Sequence, residues 1–225
     1  MAIIKLSFRS SVWAVLAKDA VCEIRTRYAA GALVMFALTA LSSVSMAMAG
    51  AALPPELAAA LLWVVLFFCA MAGLARVFVQ EQEAGTLLGL RLYASGQAVF
   101  FGKMLFNMAL LSGLTCLVVP LFSMFFAVEI TEWLPFVAVL VLGCAGIAIV
   151  STLTAAMVMY AQGKHAIFTV LTFPVLLPQF LSVISATARI LSGGVPEFSE
   201  WVFMVGYDAA VVAAGILLFD YLWQD

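Results

Sequence analysis

Six apolar runs, each long enough to cross a bilayer, decide what this chain can fold into. A helix needs about 20 consecutive apolar residues, at 1.5 Å each, to span the hydrocarbon layer. The runs lie at about Tyr28–Gly50, Leu57–Val79, Phe101–Ala127, Leu134–Tyr160, Ala166–Ala188 and Trp201–Trp223. Lipid satisfies no backbone hydrogen bonds, so each run must close its own bonds as a helix; runs this long do not suit a barrel. The expected fold is all-α: a polytopic membrane protein of about six transmembrane helices, forming one domain over residues 1–225.

Composition supports that solvent. Hydrophobic residues make up 66% of the chain and charged residues 10%. Soluble domains are near half apolar and a quarter charged. The net charge is −2 and the basic residues are scattered, so nucleic-acid binding is set aside. Cys22, Cys69, Cys116 and Cys144 show no CxxC spacing and fall mostly in apolar runs, which reads as packing rather than as a metal or disulfide framework. No signal peptide stands out: the first apolar run begins only near Tyr28, after a segment of mixed charge, and is too long for a signal core.

Basic residues favour the cytoplasmic side of a membrane. Lys5, Arg9, Lys18, Arg25 and Arg27 precede the first run; Arg76, Arg91 and Lys103 surround the second loop; Lys164 lies in the fourth. That places nine of the ten basic residues on one side, with Arg189 alone on the other, beside Glu56, Glu129, Glu132, Glu197 and Glu200. Both termini are therefore expected to be cytoplasmic in a multi-pass protein of a bacterial inner membrane.

Before the first run, residues 1–27 form a cytosolic segment in which Ile3, Leu6, Trp13, Ala17, Val21 and Ile24 recur at 3–4 spacing. Lys5, Arg9, Asp19 and Glu23 lie roughly opposite. This pattern predicts an amphipathic helix along the inner membrane surface, with Trp13 at headgroup depth. A cytosolic extension of the first span is the plainer alternative.

The loop at 80–97 is the most informative. Gly85 breaks the outgoing helix, and Thr86 is placed to cap a short new one. Leu87, Leu90 and Leu92 then offer apolar side chains at the cytoplasmic surface, and Ser95-Gly96 are expected to end it. A short leucine-rich helix bracketed by Glu81 and Glu83 suits a protein partner. A loop helix half sunk in the headgroups fits the same residues equally well.

No catalytic site is legible. The Gly-Lys pairs read Gly102-Lys103-Met104 and Gly163-Lys164-His165, and neither completes a P-loop; His-Glu-x-x-His and Gly-x-Ser-x-Gly are absent. His165, the only histidine, sits beside Lys164 in a cytosolic loop, where a solvated residue or a partner contact is plainer than haem ligation. Asp208 is different. It falls inside the sixth run, where a carboxylate costs on the order of 2.5–3.5 kcal/mol at the helix centre. It must face protein or water, either in a polar contact that serves function or in a structural hydrogen bond to a neighbouring Ser or Thr. Pro174 and Pro178 share a face of the fifth run and bend it. Cys144, Ala148, Thr152 and Ala156 make a small-residue stripe on the fourth, which reads as helix packing.

Glu81-x-Glu83-x-Gly85-Thr86-Leu87-x-x-Leu90 resembles the E-x-E-x-G-T-L-E-x-L pattern of ABC-2-type permeases, in which this loop is the coupling helix that docks on an ATPase. Leu74-Ala75-Arg76-Val77-Phe78, Leu92-Tyr93 and Gly102-Lys103 narrow the resemblance to the B subunit of the cytochrome c maturation transporter, haem exporter protein B. Leu171-Thr172-Phe173-Pro174-Val175-Leu176-Leu177-Pro178 and the ending from Gly206-Tyr207-Asp208 to Leu222 resemble that family's last two spans, so the likeness covers nearly the whole chain. Leu88 stands where the family usually has Glu, and Ala94-Ser95-Gly96 replaces a proline-bearing stretch.

The resemblance implies a non-enzymatic permease subunit. It would work with a cytosolic ABC ATPase, a haem-handling membrane subunit and a periplasmic haem chaperone, and couple ATP hydrolysis to release of the loaded chaperone. Haem and ATP would be handled by those partners, with no cofactor or metal bound by this chain itself. The tryptophan-rich motif of haem-handling partners is missing here. The rivals are a generic ABC-2 exporter of lipid or drug, and a channel or scaffold subunit with no ATPase.

Overall fold

The computed structural model describes residues 7–26, 28–48, 53–74, 81, 85–86, 89–90, 92, 94–158 and 164–222. Among these, seven helices follow one another: α1 (Phe8–Thr26), α2 (Tyr28–Met48), α3 (Pro55–Leu74), α4 (Gly96–Phe126), α5 (Trp133–Val158), α6 (Lys164–Leu191) and α7 (Phe198–Leu222). All but α1 are long and apolar enough to cross a membrane. The all-α, six-span reading is therefore the fold observed.

Helix α5 is the hub. It packs against α3, α4, α6 and α7, and its small residues let those neighbours come close. Cys144, Ala148, Thr152 and Ala156 are all buried, so the stripe read from sequence is a packing face. Gly143 shows why a small residue is needed. The indole of Trp63 on α3 lies over it, in the space a Cβ would occupy. Trp63 is itself fully buried and donates its Nε1–H to Thr187 Oγ1 on α6 at 2.9 Å, which ties α3 to α6 across the hub. Two further hydroxyl contacts hold α5 to its flanks: Asn107 on α4 donates to Thr152 Oγ1 at 2.9 Å, and Thr154 lies 2.8 Å from Thr172 on α6. With little hydrophobic drive between helices in lipid, such close approaches and hydrogen bonds supply the specificity.

Helix α4 begins earlier than hydropathy implies. Ser95 is its N-cap, with extended backbone and a side chain accepting from Ala98 N at 3.3 Å. Ser95-Gly96 thus start the long helix rather than end the short one. Its 31 residues reach about 46 Å, against a hydrocarbon thickness of about 30 Å, so one end projects beyond the bilayer.

The projecting end receives α1, which packs chiefly along α4. Ser11, Val15 and Asp19 form its buried row. Gly102 makes the approach possible: a Cβ there would lie 2.8 Å from Val15 Cβ and 3.0 Å from the Val12 carbonyl oxygen. Trp13, Val21 and Ile24 face outward, with Trp13 69% exposed, so the apolar stripe read from sequence is the unpacked face of α1. Its supposed polar face is not simply solvated. Asp19 is buried against α4, and Glu23 accepts from Ala30 N at 2.7 Å, placing a carboxylate at the start of α2.

Candidate functional site

The site grows from a turn. Gly85 has φ +67°, the left-handed conformation that costs glycine nothing. Thr86 N donates to Glu81 O at 3.0 Å, the long bond that closes a chain reversal of this kind. Gly85 therefore takes the backbone conformation of a chain reversal that favours glycine. The Thr86 hydroxyl turns back and donates to Glu81 Oε2 at 2.6 Å, while the Thr86 carbonyl oxygen accepts from Leu90 N at 3.0 Å, as the residue at the start of a helical turn does.

Glu81 is the pivot of this turn and is only 6% exposed. While Oε2 takes the Thr86 hydroxyl, Oε1 pairs with Lys18 of α1 and with Lys103 of α4, the latter at 3.3 Å. Lys103 Nζ also lies 3.1 Å from Asp19 Oδ2, and Lys18 Nζ lies 3.1 Å from Asp19 Oδ1. Among the described residues, two ammonium groups and two carboxylates thus interlock. Lys103 is wholly buried, so its charge depends on these partners. Burial, with the charge of Lys103 added, pushes the Lys18 ammonium below its ordinary pKa, and Asp19 pulls it partly back. The cluster binds three separate stretches of chain into one unit: α1, the turn at Glu81–Thr86, and the projecting end of α4.

Of the predicted coupling residues, Glu83 and Leu87 lie outside the described residues. The others come together with different exposures. Glu81 faces inward, Leu90 packs partly against the core, and Leu92 is 54% exposed. Sequence alone treats the leucines alike; among the described residues of the segment, Leu92 is the exposed leucine. The roles of Lys18, Asp19 and Lys103 were missed, because each reads as one more charge on the cytoplasmic side.

Asp208 lies at a distance from this cluster. It is 8% exposed and packs between α5 and α6, where it accepts from Gln179 Nε2 at 3.2 Å. Its partner is a carboxamide, where the sequence reading names a Ser or Thr hydroxyl. Gly146 provides the room, since a Cβ there would lie 2.8 Å from Asp208 Oδ1.

The model of one protein family, described as CcmB protein, matches residues 10–219. No curated protein and no solved structure matches the chain.

Proposed function

Since the chain belongs to the CcmB family, the permease component of an ABC transporter of cytochrome c biogenesis, we propose that it converts a partner's ATP hydrolysis into movement of its membrane helices, and so drives release of a haem-loaded periplasmic chaperone. One observation carries this reading. The turn that begins the coupling segment is clamped by ion pairs to both α1 and α4. A displacement of Leu92 and its neighbours by an ATPase therefore reaches α4 through Glu81 and Lys103, instead of being lost in a loose loop. Helix α4 leans on the hub helix α5, and α5 touches α3, α6 and α7. Interlocked helices of this sort shift as units between packed arrangements.

The chemistry of the chain supports a mechanical role. Its two Gly-Lys pairs lack the Ser or Thr of a P-loop, so the nucleotide work falls to a cytosolic ATPase subunit. In this scheme the clamped cluster and both termini face the cytoplasm. A haem-handling membrane subunit and the periplasmic chaperone engage other faces of the complex. The test is a strain lacking this chain, complemented with wild type or with Leu92→Asp. Holo-cytochrome c is expected to be lost in the deletion, restored by wild type, and restored only in part by Leu92→Asp at equal membrane abundance. Normal holo-cytochrome c in the deletion strain would assign the chain to an exporter of some other species.

A further inference from the structure

Asp208 lies ten residues into α7 from Phe198, about 15 Å along the helix axis, which is mid-depth in a hydrocarbon layer of about 30 Å. Gln179 occupies the middle of α6, and Gly146 the middle of α5. Their meeting point is the polar centre of the bundle. Only one hydrogen bond joins the pair, from Gln179 Nε2 to Asp208 Oδ1. Asp208 Oδ2 and Gln179 Oε1 are both buried and have no partner. Gln179 is 1% exposed, so neither oxygen is offered to bulk water.

An ionised carboxylate would leave two bare acceptors and a full charge together in hydrocarbon. Each unmade bond and the buried charge are costly there. Among the described residues, Asp208 forms no ion pair with a Lys or Arg. Two titratable groups on the packed helices are engaged with other partners. Tyr207, next to it on α7, donates its hydroxyl to Val175 O on α6; Cys144 on α5 bonds with Thr115 of α4. The charged groups that are described pair elsewhere: Lys103 of α4 with Asp19 of α1 and Glu81, and Arg189 at the end of α6 with Glu200 at the start of α7. The notch left by Gly146 is filled by the pair itself, since a Cβ there would also lie 3.0 Å from Gln179 Cγ. The species that resolves both acceptors must therefore be very small.

We infer that Asp208 and Gln179 form a proton-binding site at the centre of the membrane. One proton, taken from water, sits on Asp208 Oδ2 and is donated to Gln179 Oε1. The carboxylic acid and the carboxamide then exchange two hydrogen bonds, Nε2–H to Oδ1 and Oδ2–H to Oε1, and both orphaned atoms are satisfied at once. The bound proton also locks α6 to α7 near Pro174 and Pro178, where Tyr207 holds the Val175 carbonyl. Loss of the proton would set two acceptors against each other and release that contact.

Infrared spectroscopy of the full chain in lipid nanodiscs at neutral pH tests this. The C=O stretch of a protonated carboxyl group lies apart from the amide and carboxylate bands. The wild type is expected to show that band, Asp208→Asn to lose it, and Gln179→Leu to keep it at a shifted frequency. Absence of the band in the wild type would show an ionised Asp208 and overturn the inference. So would a band undiminished in Asp208→Asn, or one unmoved in Gln179→Leu. The last comparison stands on its own should Asp208→Asn fail to fold.

Discussion

The Lys103 ammonium, wholly buried on α4, lies 3.1 Å from the Asp19 carboxylate on the N-terminal helix, although 84 positions separate the two in sequence. Removing one partner from such a group leaves an uncompensated buried charge, a loss of about 3–5 kcal/mol. Lys103→Met should therefore lower the thermal unfolding midpoint of the detergent-solubilised protein strongly. Adding Asp19→Asn leaves Lys18 and Glu81 as a balanced pair, so the double variant should be more stable than Lys103→Met alone. Equal midpoints for wild type and Lys103→Met would show that the cluster does not hold these elements together.

The hub helix makes a second prediction. Trp63 occupies the space above Gly143, so Gly143→Ala overpacks the α3–α5 contact. The expected cost is about 1–3 kcal/mol. Shortening the intruding ring with Trp63→Phe should recover part of it, even though the bond to Thr187 is lost. A double-mutant cycle on thermal stability reads the coupling. Strictly additive losses would mean that the glycine does not serve the indole.

The orientation of the chain can be measured on intact spheroplasts, in a variant whose four cysteines are replaced by alanine. Ser192, just beyond α6, and Ser7, just before α1, are both exposed. A membrane-impermeant maleimide should label Ser192→Cys from outside, and should label Ser7→Cys only after the membrane is opened. The reverse pattern would invert the orientation and move the clamped turn away from any cytosolic ATPase.

Much of the architecture was legible because the bilayer sets a length scale that six apolar runs meet. Gly85 was legible for an equally local reason: the conformation at that turn suits glycine. Helix limits were less so. Hydropathy placed the third span from Phe101, whereas Ser95 caps a helix that continues through Lys103. A helix extends past the apolar run that crosses the membrane wherever a cap and packing partners support it. Those partners were the hidden part. Lys103 meets Glu81 across 22 positions and Asp19 across 84, and no local pattern connects them. Asp208 announced itself by the cost of a carboxylate in lipid, yet its partner Gln179 carried no such signal. The dependence of Trp63 on Gly143 was likewise invisible, since it is a matter of shape between two helices distant in sequence.

The most direct test of the proposed coupling is purification of the tagged chain from its native membrane in mild detergent, with co-purifying proteins identified by mass spectrometry. The account predicts an ABC ATPase in the wild-type preparation, together with a haem-handling membrane protein. With Leu92→Asp, whose side chain is exposed on the coupling segment, recovered ATPase should fall about tenfold, equivalent to about 1.4 kcal/mol of docking energy, at unchanged membrane abundance. An intact preparation with no nucleotide-binding subunit would contradict the account and leave a channel or scaffold role in its place.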